Sequence, residues 1–106
     1  MEDYDLRNEC SRIITEIQPH VSSAEVSKTL EYTYSVAHMN LVTKEDIKMC
    51  VRLTARGFEI VGDEFDTANK EPTITYELID QLLSDLSPKY RESFSYLLAQ
   101  KLQNLQ

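Results

Sequence analysis

Residues 47–62 read IKMCVRLTARGFEIVG, and this stretch decides the fold. Ile47, Met49, Val51 and Leu53 alternate strictly with Lys48, Cys50, Arg52 and Thr54, the period of a strand with one apolar face. Thr54-Ala55-Arg56-Gly57 is a short connection with glycine at the positive-φ position, and Phe58 and Ile60 resume the alternation toward Gly62. Two strands so close in sequence must be antiparallel neighbours. One face of the hairpin is apolar and the other polar, so the apolar face needs a cover.

The same period extends upstream. Ala24, Val26, Leu30, Tyr32 and Tyr34 alternate with Glu25, Ser27, Thr29, Glu31 and Thr33. Lys28 falls on the apolar side, where its stem can lie along the surface. Ala37, Met39 and Leu41 alternate with His38, Asn40 and Thr43, and Thr43 to Asp46 form a polar turn. Short loops between neighbours give a meander of about four strands.

Outside the sheet the period is helical. From Leu6, apolar residues recur at Cys10, Ile13, Ile14 and Ile17. Asp3 or Asp5 is the expected start, and Pro19 the stop, since proline lacks an N–H and clashes with the preceding turn. Asp63 to Pro72 is a polar, acidic loop. Thr73 or Thr75 then caps a helix carrying Leu78, Ile79, Leu82, Leu83 and Leu86 on one face. Ser87-Pro88 opens a last helix, with serine as cap and proline at the first helical position. The expected fold is a single α+β domain spanning 1–106: an N-terminal helix, an antiparallel sheet of about four strands and two C-terminal helices.

Composition bounds the function. The chain has 106 residues, 18 Asp and Glu against 11 Lys and Arg, and a net charge of −7. That argues against nucleic acid or anionic lipid as partners, because phosphate recognition needs a basic surface. Two cysteines rule out a disulfide scaffold, and two glycines argue against a glycine-rich phosphate loop. The acidic N-terminus lacks the basic and apolar regions of a signal peptide, and no apolar run approaches the ~20 residues of a membrane span. The cytoplasm is the expected location, with the nucleus as a second.

Motifs for chemistry are sparse. Cys10, His20, His38 and Cys50 are the soft metal ligands, and none stands in a ligand-pair spacing. Asp63, Glu64 and Asp66 lack the alternating oxygen ligands of a calcium loop. No glycines build a nucleophile elbow around a serine. No catalytic residue, metal or cofactor is expected. A pocket joining His38 to a carboxylate or to Cys50 would instead favour an enzyme or ligand-binding domain.

The last helix stands apart. Before Ser87 there are 17 acids and 8 bases; from Ser87 onward one acid faces Lys89, Arg91 and Lys101. At ~100° per residue, Tyr90, Phe94, Leu97, Leu98, Leu102 and Leu105 occupy an arc of about 140°, broader than one seam requires. Tyr90, Phe94 and Leu97 can hold the helix to its own domain. Phe94, Leu98, Leu102 and Leu105 are spaced as anchors of a helix laid in a partner's groove. The same stripe also suits a core-facing helix.

The run Leu83-Ser-Asp-Leu-Ser-Pro-Lys-Tyr-Arg-Glu-Ser-Phe94 resembles the GSKIP domain family, the glycogen synthase kinase-3 beta interaction proteins. So do Val26-Ser-Lys-Thr-Leu30, Asn40-Leu-Val-Thr-Lys-Glu45, Leu53-Thr with Gly57, Val61-Gly62 and Phe65-Asp66. The resemblance runs from about Leu6 to Leu105. It implies a non-catalytic adaptor or inhibitor of glycogen synthase kinase-3, a setting in Wnt signalling, and a kinase-binding helix here formed by Phe94, Leu98, Lys101, Leu102 and Leu105. Lys101 stands where the family has arginine, and lysine is poorer at bidentate pairing. The resemblance also implies a contact with the regulatory subunit of protein kinase A through Ile13, Ile14 and Ile17. Gln18 replaces the next leucine anchor there, and Pro19 ends the helix. The competing reading is that Ile13, Ile14 and Ile17 cover the sheet.

Overall fold

The computed structural model describes residues 5–104, apart from the side chains of Phe94, Tyr96, Leu97, Leu98, Gln100, Lys101, Gln103 and Asn104. The elements run α1 (Leu6–Ile17), a 3-10 turn (Gln18–His20), β1 (Ser23–Val26), β2 (Ala37–Val42), β3 (Lys48–Thr54), β4 (Gly57–Gly62), α2 (Ile79–Leu86) and α3 (Pro88–Asn104). The sheet is an antiparallel meander in the order β1-β2-β3-β4. The α+β expectation holds. No helix among the described residues is long and apolar enough to cross a membrane.

Asp5 caps α1 by accepting the Arg7 N–H at 3.0 Å, whereas Asp3 lies outside the described residues. Leu6, Cys10, Ile13, Ile14 and Ile17 are all buried against the sheet, with Ala37, Met39, Leu41, Met49, Val51, Leu53 and Phe58 below them. The β2–β3 register pairs Ala37 with Leu53, Met39 with Val51 and Leu41 with Met49, which puts these six side chains on one face. Ile79, Leu82, Leu83 and Tyr90 complete the same core. The helical and strand periods therefore meet in one cluster, as the alternation of residues 47–62 requires.

The long strand expected over Ala24 to Tyr34 is not formed. The strand ends at Val26, with one further bond across from the Ser27 N–H to the His38 carbonyl at 2.9 Å, and local hydrogen bonds capture the backbone that follows. The Ser27 hydroxyl accepts the Leu30 N–H at 3.2 Å, and the Thr33 hydroxyl accepts the Val36 N–H at 3.1 Å. This segment crosses to the start of α1, where the Tyr34 carbonyl accepts the Leu6 N–H at 2.9 Å. Tyr34 itself is exposed, as is Ile47, because β3 begins only at Lys48.

The second sheet face is also covered, contrary to the expectation of a solvated polar face. His38, Asn40, Cys50, Glu59 and Val61 are buried. The acidic loop folds over them through Asp66, whose carboxylate accepts the Asn40 amide at 2.9 Å and the Ser27 hydroxyl at 2.5 Å. These bonds, Asn40 first, hold the Asp66 carboxyl below the usual range. Further along, Thr75 donates to Glu59 at 2.8 Å, so neither Thr73 nor Thr75 caps α2. The cap position belongs to Leu78, which is exposed rather than on the apolar face. A register shift places Val61 as the extra residue of β4, between the Val51–Ile60 and Cys50–Gly62 pairs.

Candidate functional site

The candidate site is α3, and its position is set by a loop 42 residues earlier in the chain. Thr43 is fully buried, and its hydroxyl accepts the N–H groups of Glu45 and Ile47, each at 3.2 Å. Asp46 closes the turn at φ 66°, a conformation aspartate tolerates better than most residues. That geometry aims Glu45 at the first turn of α3. Its carboxylate accepts the Ser87 hydroxyl at 2.7 Å and the Lys89 N–H at 2.9 Å. Those two bonds, the Lys89 N–H first, pull the Glu45 carboxyl down to about 2.

Ser87 caps its own helix as well. Its oxygen accepts the Tyr90 N–H at 3.0 Å, and Pro88 occupies the first helical position as expected. The N-terminus of α3 thus has a local cap and a distant carboxylate, both favourable at the positive end of the helix dipole.

One turn on, Tyr90 is 1% exposed and its hydroxyl donates to Asp80 of α2. Burial, and then Asp80, push the Tyr90 hydroxyl well above the ordinary tyrosine range. Its ring meets the His20 ring edge-on, with centroids 5.7 Å apart. The His20 Nδ1 in turn lies 2.5 Å from the Ser93 hydroxyl. Arg91 donates to the Ser84 carbonyl of α2. Tyr90 therefore holds the helix to its own domain, as its place on the stripe suggests.

Beyond Ser93 the described side chains turn outward. Ser95 and Ala99 are exposed, and Leu102 is 57% exposed. The side chains of Phe94, Leu98 and Lys101 lie outside the described residues, as does Leu105 altogether; the backbone at 94, 98 and 101 is helical. From Ser93 to Asn104 the helix continues for ~16 Å at ~1.5 Å per residue.

Ile13, Ile14 and Ile17 sit in the core at 4%, 8% and 2% exposure. They make the contact with the sheet that the competing reading of α1 describes.

The soft ligands are placed by the fold on both sheet faces, Cys10 over one and His38 and Cys50 on the other. Cys10 lies in the core, and burial pushes its thiol up to about 11. Burial also raises Cys50. The His38 Nδ1 lies 2.9 Å from the Glu31 carbonyl. Among the described residues no three His, Cys, Asp or Glu side chains cluster as a metal site.

A model of the GSKIP domain matches residues 6–105. The chain belongs to the GSKIP domain family. The GSK3-beta interaction protein of Danio rerio is 36% identical to it over 102 residues, which cover 95% of this chain and 77% of the relative. The GSK3B-interacting protein of Homo sapiens is also 36% identical over 102 residues, 95% of this chain and 73% of its own. The protein named GSKIP homolog in Drosophila melanogaster is 31% identical over 97 residues, 89% of this chain and 82% of its own.

In this GSKIP domain the helix and its cap are legible from sequence. Glu45, Asp80, His20 and Ser93, which set the angle of the helix, are not. Glu45 looks like one more charge in a polar turn. Only the strand pairing, which carries the loop beside Ser87, gives it a partner.

Proposed function

We propose that the chain is a non-catalytic binding protein for glycogen synthase kinase-3, acting as an adaptor or inhibitor. In this reading the second half of α3 lies in an apolar groove of the kinase, with Phe94, Leu98, Leu102 and Leu105 as anchors and Lys101 at the rim. The observation that carries it is Leu102, 57% exposed on a helix whose described anchors end at Ser93. The names of the relatives, as interaction proteins of this kinase, point the same way.

A helix fixed at one end offers the other end already folded, which reduces the ordering cost of association. Docking of protein kinase A through α1 is not favoured by any contact, since Ile13, Ile14 and Ile17 would first have to leave the core.

The test is capture of glycogen synthase kinase-3 by the full chain and by Leu102→Pro. Proline there breaks the last turns of α3 while leaving Ser87, Tyr90 and Ser93 in place. The wild-type chain is expected to retain the kinase and the variant to lose it, with the amide spectrum of the sheet unchanged. Equal retention by both sinks the reading.

A further inference from the structure

A cleft of about 360 Å³ opens between α1, the β3–β4 hairpin and the start of α2. Its size falls at the lower end of small-ligand sites, enough for one or two side chains. Ile13, Leu53, Phe58 and Ile79 contribute apolar walls, each of them buried. Leu78 also lines the cleft, and it is 57% exposed.

Leu78 is the unusual residue. It holds the N-cap position of α2, at φ −127° and ψ 146°, where a side-chain oxygen is strongly preferred. Leucine has no acceptor to offer. Gln81 performs the reciprocal half of a capping box, accepting the N–H groups of Glu77 and Leu78 at 3.2 Å each. The helix thus forgoes half its cap for an apolar side chain that stays more than half exposed at the rim of the cleft. A local rule broken for a side chain left mostly in water marks a place where something other than folding sets the residue.

Charge names the occupant. Glu9, Glu16, Glu77 and Asp80 line the cleft against two cations, Arg12 and Arg56. Arg12 is already shared between Glu9 and Glu16, and Arg56 lies 3.7 Å from Glu59. Asp80 accepts the Tyr90 hydroxyl. Among the described residues Glu77 has no ion pair within 4.0 Å. Four carboxylates against two guanidiniums leave the rim net negative, so it attracts a basic chain and repels an acidic one.

We propose that this cleft receives an apolar side chain flanked by lysine or arginine from a segment of a partner protein. The site shares no residue with the proposed kinase-binding stretch of α3, and it stands or falls independently of that reading.

The test is an amide-shift titration of the full ¹⁵N-labelled chain with acetyl-Arg-Leu-Arg-amide and with acetyl-Glu-Leu-Glu-amide. The basic peptide is expected to move the signals of Glu9, Glu16, Leu53–Phe58 and Glu77–Asp80, saturably and less so as salt is raised. Leu78→Ser is expected to weaken that binding by about tenfold without lowering the melting temperature. Glu77→Gln is expected to weaken it too, with smaller salt dependence. The proposal is overturned by an absent response to the basic peptide, by equal response to the acidic one, or by unchanged binding in Leu78→Ser. A Leu78→Ser chain that is itself destabilised also overturns it, because Leu78 would then be serving the fold.

Discussion

Replacing Leu102 by alanine separates binding from folding. Fully burying a leucine side chain contributes about 1.5–3 kcal/mol relative to leaving it in water. Leu102 is 57% exposed in the free chain, so about 0.9–1.7 kcal/mol of that remains for a partner to supply. Its loss corresponds to about a four- to eighteenfold weaker Kd. Within the fold the same change does little: alanine is at least as good a helix former as leucine, and exposed substitutions stay within about 0.5 kcal/mol. Leu83 is the control, since it is fully buried and Leu→Ala at such a site costs about 2–5 kcal/mol. Calorimetric titration of glycogen synthase kinase-3 gives the affinities, and urea unfolding gives the stabilities. Leu102→Ala should weaken binding with an unchanged urea midpoint, and Leu83→Ala should lower the midpoint. If Leu102→Ala unfolds as early as Leu83→Ala, the leucine belongs to the core and is not held out for a partner. If it binds as tightly as wild type, the groove does not use it.

Three further outcomes follow from particular contacts. Glu45 titrates near 2 in the folded chain against an ordinary 4.5; because the folded value is depressed, its stabilisation is complete above the ordinary value and is lost as pH falls from about 4.5 through about 2. Glu45→Gln should therefore flatten the acid limb of α3 unfolding in that window, read from the amide signals of Lys89 and Tyr90, and an unaltered acid limb would disprove the tie. Leu78→Ser should raise stability by about 1 kcal/mol by completing the α2 cap, seen as a higher urea midpoint; a lower one would show that leucine packs there. Gly57 has φ +132° and a Cβ built on it would sit 2.2 Å from the Tyr76 carbonyl, so Gly57→Ala should destabilise by more than about 1 kcal/mol, with an unshifted melting curve refuting it.

The elements that could be read in advance are those whose signal is local. Met49, Val51 and Leu53 announce β3 because apolar residues at period two line one face of a strand, whereas on a helix they would scatter around it. Ser87-Pro88 announces α3 because a hydroxyl cap and a fixed φ are both chemical properties of the residues themselves. The errors fall where distant partners decide. Leu30, Tyr32 and Tyr34 have the right period for a strand, but Ser27 and Thr33 offer the backbone nearer acceptors. Asn40, Cys50 and Glu59 look like a wet face until the loop from Asp63 is folded across them, and only then does Asp66 become a hinge pin rather than a surface charge. Thr75 has the chemistry of a cap and is drawn off by Glu59. In the site, the start of α3 is legible from Ser87-Pro88, while the carboxylate that aims the helix is not.

That carboxylate bears on why a sheet domain carries this helix. A 17-residue helix alone in water is near the length at which helices are marginal, because the first turn fixes several residues for one hydrogen bond. Here Glu45, Ser87 and Tyr90 hold that first turn from outside the helix and from within it. Nucleation is supplied by the domain, and the following turns need only propagate, at one hydrogen bond per residue fixed. The acidic groups that hold the helix, Glu45 and Asp80, come from the acid-rich part of the chain. The charge asymmetry between residues 1–86 and the rest is thus, at least at these two contacts, the electrostatic side of the same anchoring. If the domain nucleates the helix, peptide 87–106 alone should be far less helical than the same residues in the full chain, by circular dichroism and amide shifts, and should bind the kinase more weakly. A peptide as helical and as tight as the full chain would show that the sheet contributes nothing to the site.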